Sequence, residues 1–207
     1  MTIFFSGYIG SLQTGDGTCG EWVSEIFTGE DWIPGPSHPS GHSINPCLAN
    51  INSTHSLLVG GLPAFTDTWI LDWINDSWSR AGNLLQGRQD HDCVGLDGQN
   101  VLLAGGRNRD NTQELYSVEL FDAALGNWTV QPDLPDVDLP GQPILLNWDG
   151  TVLGLFFGED RVYQRRVEDG SWSQLAGVQL PDIFFGSHVN KVAIVPDYFA
   201  AGCVVED

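Results

Sequence analysis

Across 207 residues the chain sets 27 acidic side chains against eight basic ones, a formal net charge of −19. That balance argues against nucleic acid and anionic membrane surfaces as partners, since both are held chiefly by Lys and Arg. With 42% hydrophobic residues and eight tryptophans the composition is globular, and the length suits one domain with a proper core or two small ones.

No run of about 18 apolar residues is present to form a transmembrane helix. Met1 to Gly7 has neither a basic n-region nor a long apolar run, so it does not read as a signal peptide. Two readings of the acidic excess stand side by side. It keeps a surface soluble, or it serves cations or a basic partner.

In sequence order, Ile3 to Gly7 reads as a strand closed by glycine, Glu21 to Thr28 as another, and Trp32 falls in a third. Pro34-Gly35-Pro36-Ser37-His38-Pro39-Ser40-Gly41-His42 is the richest turn segment. Leu57-Leu58-Val59-Gly60-Gly61 then leads through a polar loop to Thr68-Trp69-Ile70-Leu71-Asp72 and, six residues past that Asp, Trp78. The same order returns as Val101-Leu102-Leu103-Ala104-Gly105-Gly106, a polar loop, Ser117-Val118-Glu119-Leu120-Phe121-Asp122, and Trp128 six residues on.

Trp32, Trp78, Trp128 and Trp172 are spaced 46, 50 and 44 residues apart, and Gly7, Gly61, Gly106 and Gly158, each closing an apolar run, 54, 45 and 52. A fixed period of tens of residues is the mark of a repeat architecture. Each unit holds four short apolar or alternating runs bounded by Gly, Asn, Asp and Pro, the pattern of antiparallel strands. In the third unit they are Asp92 to Leu96, Val101 to Ala104, Leu115 to Phe121 and Asn127 to Gln131. The proline-rich segment Pro132 to Pro143 leads to a fourth unit, after which Val189 to Val195 and Tyr198 to Val205 read as strands.

A double glycine after an apolar run, an aromatic or Asp near the end of a later strand and a Trp six residues beyond it resemble the kelch repeat. The two central units carry the motif in full, and the outer two vary it with Ser6-Gly7 and Phe157-Gly158. The resemblance covers nearly the whole chain and implies an all-β, kelch-type β-propeller. About four blades of four-stranded antiparallel sheet are expected, in units 1–40, 41–84, 85–136 and 137–180, with a closing or partial blade at 181–207. Because the chain starts at a second strand and ends near one, the ring is expected to be incomplete or completed by a partner.

Propellers of this kind bind at one rim, through loops between second and third strands and between blades. The resemblance points to Phe65 and Asp67 after the first double glycine, to Arg107, Asn108, Arg109 and Asp110 after the second, and to Arg88, Asp90 and His91 between blades. Three of the eight basic residues fall here. They form a clamp for carboxylate or phosphate, or they pair with acids of the same loops. Arg161, Arg165 and Arg166 make a second cluster on an expected strand, Arg166 facing opposite to the other two.

Asn52-Ser53-Thr54, Asn75-Asp76-Ser77 and Asn127-Trp128-Thr129 fit the glycosylation acceptor pattern. Cys19, Cys47, Cys93 and Cys203 are an even set without a CxxC pair. They are disulfide candidates in an oxidising compartment or buried thiols in a reducing one. Cys47 and Cys93 hold equivalent places before their units' glycines.

No cofactor and no metal site are expected. His38 and His42 sit in a turn segment, and none of the four tyrosines stands in a copper-oxidase motif. A GxSxG elbow, an HExxH pair and a phosphate-binding glycine loop are all missing from the sequence. The expectation is a non-enzymatic module for protein interaction or self-assembly, extracellular or in the secretory pathway. A secreted carbohydrate-binding or galactose-oxidase-like enzyme, with a glycan ligand, and a cytosolic adaptor are the alternatives.

Overall fold

The computed structural model describes residues 25–27, 31–36, 45–135, 143–148, 150–156, 161–176, 194–195 and 198–199. Among them every regular element is a strand. Two short pairs stand apart: β1 (Glu25–Phe27) with β2 (Trp32–Pro34), and β15 (Ile194–Val195) with β16 (Tyr198–Phe199). Ile3 to Gly7, the turn segment Ser37 to His42, and both Cys19 and Cys203 lie outside the described residues.

Between the pairs come three four-stranded antiparallel sheets, each taken up in simple sequence order. The first holds β3 (Cys47–Asn50), β4 (His55–Val59), β5 (Thr68–Asp72) and β6 (Ser77–Arg80). The second holds β7 (Asp92–Gly95), β8 (Asn100–Ala104), β9 (Val118–Asp122) and β10 (Asn127–Gln131). The third holds β11 (Pro143–Trp148), β12 (Thr151–Phe156), β13 (Arg161–Arg165) and β14 (Trp172–Gln174). The architecture is all-β and consistent with a blade-type fold. Arg166, expected on a strand face, falls one residue beyond β13 in the following turn, where its amide bonds the Ser171 carbonyl at 2.8 Å.

The period of two along a strand explains why the sheets stack. In β8, Val101, Leu102, Leu103 and Ala104 are all fully buried. Successive side chains leave a strand on opposite faces. Val101 and Leu103 accordingly join a cluster with Cys47, Ala49, Leu57 and Val59 of the first sheet. Leu102 and Ala104 join another with Leu145, Val152 and Tyr163 of the third. The second sheet is therefore covered on both faces, and each buried leucine adds about 1.5–3 kcal/mol of transfer free energy.

The first strands of the three sheets run beside one another. Cys47 in β3 and Cys93 in β7 form a disulfide across 46 residues of sequence, with Cα atoms 5.8 Å apart. Gly95 in β7 comes so close to β3 that a Cβ there would lie 2.0 Å from the Asn50 carbonyl oxygen, so no larger residue fits. At the next junction the Asp92 carboxylate accepts from the Leu145 amide at 2.9 Å, and Asn147 donates to the carbonyls of Gly95 and Leu96.

One of the repeat tryptophans serves the junction between the first two sheets. Trp128, on β10, is buried against Phe121 at 5.2 Å between ring centroids. Its indole N–H donates to the Thr68 hydroxyl of the first sheet at 3.0 Å. An indole that buries its body while one polar atom finds a partner suits a layer between sheets.

Candidate functional site

At one end of the first two sheets three segments converge: the β4–β5 loop (60–67), the β8–β9 loop (105–117) and the connection between sheets (81–91). The double glycines make the convergence possible. Gly60 and Gly61 have φ of 63° and 80°, Gly105 and Gly106 of 71° and 92°, a left-handed region that glycine enters without penalty. A Cβ on Gly60 would strike the His91 ring at 2.7 Å, and one on Gly106 the Gln89 carbonyl oxygen at 2.5 Å. The connection thus lies directly over both glycine pairs. Its backbone is tied down by Gly61 to the Arg88 carbonyl at 3.1 Å, Arg88 to the Phe65 carbonyl at 3.0 Å, and reciprocal Gln89–Arg107 bonds at 3.0 and 2.8 Å.

Arg88, expected in a rim clamp, is wholly enclosed. Its guanidinium donates to the carbonyls of Gly105 and Ser117, to the Ser117 hydroxyl, and to Glu119 at 2.7 Å. Glu119, nearly as deep, also accepts from the amides of Leu85 and Gln86 at 2.8 and 3.2 Å. Burial lowers the Arg88 pKa from its ordinary value, and the charge and hydrogen bond of Glu119 oppose that shift. The pair is a brace that locks the connection to the second sheet. Glu119 escaped the sequence reading; the signal was a lone carboxylate in the apolar run Val118-Glu119-Leu120-Phe121.

The other expected rim residues divide between scaffold and surface. Asp67 accepts from Arg80 at 2.7 Å, and Arg107 donates to Glu114 at 2.8 Å. Asp90, at φ 56°, accepts from the Asn45 side chain. His91 is buried with its Nε2 3.1 Å from the Val59 carbonyl oxygen, the tautomer with N–H there donating. The Asn108 side-chain oxygen accepts from the amides of Thr112 and Gln113 and shapes its own loop.

What remains lies at the surface, where Arg109 and Asp110 are exposed, Asn108 is half-buried and Phe65 is nine-tenths buried. Phe65, Asn108, Arg109 and Asp110 line an open depression of about 490 Å³ with Pro63, Ala64, Thr66 and Gly87. The Arg109 guanidinium carbon stands 5.3 Å from the centre of the Phe65 ring, a cation–π contact between loops of two different sheets. Its lining sets apolar residues, Pro63, Ala64 and Phe65, beside polar ones and a single cation, Arg109.

The three acceptor asparagines are all exposed. The Asn52 side-chain oxygen accepts from the amides of Thr54 and His55 and from the Thr54 hydroxyl, and Asn75 donates to Asp72 at 2.7 Å. No group of three or more His, Cys, Asp or Glu side chains placed to hold a metal occurs among the described residues. No helix among them is long and apolar enough to cross a membrane.

No protein-family profile matches the chain, and no curated protein matches it. Solved structures do, 180 chains in all. One is the structure of YjhT, 15% identical, with a TM-score of 0.62 over 78% of this chain. This chain spans 60% of the length of that one, and at such identity the likeness concerns the fold alone.

Proposed function

We propose that this chain is a kelch-type β-propeller, its ring completed by a partner or a second copy, whose rim acts as a non-enzymatic surface for protein interaction or assembly. The observation that carries the reading is the Phe65–Arg109 depression. Two loops of successive sheets are locked by the glycine pairs and the Arg88–Glu119 brace, so what they present to solvent is rigid. A preorganised surface of this kind binds with a smaller ordering penalty. The double glycines in left-handed torsions and the Trp128–Thr68 bond support the kelch reading, because they give the repeated residues their physical roles.

The same proposal places the chain outside the cytosol. A Cys47–Cys93 disulfide persists where thiols are not kept reduced, and the exposed acceptor asparagines are accessible to glycan attachment. Native mass spectrometry of material from the natural source, repeated after deglycosylation and after alkylation without reduction, tests both parts. The expected result is a glycan mass, no alkylation at Cys47 or Cys93, and a bound partner or second copy that is lost in the Arg109→Ala variant, a change at an exposed position. A bare monomer with both thiols alkylated would overturn the assignment.

A further inference from the structure

Four arginines belong to the first two sheets and their connections, and three of them are spoken for. Arg80 holds Asp67, Arg88 holds Glu119 and Arg107 holds Glu114, at 2.7, 2.7 and 2.8 Å. Arg109 makes no ion pair and no hydrogen bond to another described residue; its contact is with the face of Phe65. In a protein with 27 acids and eight bases, a cation left without a carboxylate at the lip of a depression is an unusual placement. We propose that this depression binds a carboxylate carried beside an apolar group on a partner protein, with Arg109 as the anion donor and Phe65, Ala64 and Pro63 as the apolar seat. The inference rests on the interaction reading and names the chemistry the partner must present.

Three physical points select this ligand. Phe65 holds the guanidinium through a cation–π contact and uses none of its hydrogen bonds, so its five N–H donors remain for a planar, two-oxygen acceptor. Beside the guanidinium in the lining, Pro63, Ala64, Gly87 and the exposed margin of Phe65 offer apolar surface to an apolar group. Asp110 in the lining and the net charge of −19 oppose a dianion more strongly than a monoanion, which favours a carboxylate over a phosphate. Two protein groups have this chemistry: a free carboxy-terminus on an apolar residue, and an acidic side chain next to one.

The test is two-dimensional NMR on the full-length protein. The signals read are the Arg109 Nε–Hε and the Gly87 amide, titrated with N-acetyl-phenylalanine, its amide, N-acetyl-Glu-Phe-amide and phenyl phosphate. Either carboxylate probe is expected to shift both signals saturably, with a dissociation constant on the order of 1 mM. The uncharged N-acetyl-phenylalanine amide is expected to leave them still. A response to the first carboxylate alone identifies a carboxy-terminus, and a response to the second an acidic side chain. Arg109→Gln, a change at an exposed position, is expected to weaken the carboxylate at least about tenfold while the remaining spectrum is unchanged. The proposal is overturned if no probe shifts these signals, if the amide matches the acid, or if phenyl phosphate binds more tightly. Loss of the natural partner on Arg109→Ala without any carboxylate response leaves the interaction surface standing and removes only its ligand chemistry; failure of both removes both.

Discussion

Glu119 stands second in β9, at the place Trp69 holds in β5, and the exchange alters what each strand supports. Trp69 packs beneath the exposed guanidinium of Arg80, 5.8 Å from its ring centre, whereas Glu119 is drawn inward by a guanidinium with no exposure at all. A buried ion pair is not by itself strongly stabilising, because desolvation offsets most of the attraction, yet removing one partner strands the other. Glu119→Ala leaves the Arg88 cation and the amides of Leu85 and Gln86 without their acceptor. The expected loss is about 3–5 kcal/mol of unfolding free energy, read from the urea midpoint and slope. Glu119→Gln, which keeps one oxygen for the amides, is expected to lose less. An unchanged midpoint and slope in Glu119→Ala would mean that the brace contributes nothing to stability.

At the scale of the element, the hairpins between third and fourth strands explain the six-residue interval from Asp to Trp. Asp72 ends β5 and its carboxylate accepts from the amides of Ile74 and Asn75 at 2.8 and 3.1 Å; Asp122 ends β9 and accepts from Ala124 and Leu125 at the same distances. The turn then closes through a left-handed residue, Asp76 at φ 50° in one and Gly126 at 67° in the other. Such side-chain to backbone bonds favour the ionised acid. The Asn75 side chain, then its amide, hold Asp72 below its ordinary value of 3.8; the Ser171 hydroxyl and amide do the same for Asp169. For Asp97 burial works upward, but bonds from Asn100 and Gln99 together prevail and lower it. The folded pKa is depressed, so the stability these acids confer is whole above the unfolded value of 3.8 and is lost as pH falls through the folded pKa beneath it. The urea midpoint is therefore expected to hold down to about pH 5 and decline below about pH 4. Asp72→Asn is expected to be less stable than the parent at neutral pH and to converge with it in acid. A constant gap between the two at every pH would show that the charge of Asp72 plays no part.

For the whole molecule, the sequence disclosed what recurs and concealed what occurs once. Gly60-Gly61, Gly105-Gly106, Asp72, Asp122 and Trp128 were legible because each fills a torsional or packing need in one of the two central units, which repeat one another's sequence. The partnership of Arg88 with Glu119 and the contact of Arg109 with Phe65 were not, since they join residues 31 and 44 apart through loops whose path depends on neighbouring sheets. Cys47 and Cys93 lay between these cases: equivalence put them on first strands of successive units, but only the packing of β3 on β7 made them a pair. The net charge of −19 is a property no single unit reveals, and its two readings predict different behaviour. Self-repulsion opposes compactness and is relieved by any salt, since the screening length falls from about 30 Å at 0.01 M to about 8 Å at 0.15 M. If the acids only solubilise, the melting temperature is expected to rise by roughly 2–6 °C over that range, equally with sodium or choline chloride. Calcium chloride at matched ionic strength should then add nothing. A rise confined to calcium, saturating at millimolar concentration, would mean that the acidic surface holds cations at defined positions and would move the function away from a surface built only for proteins.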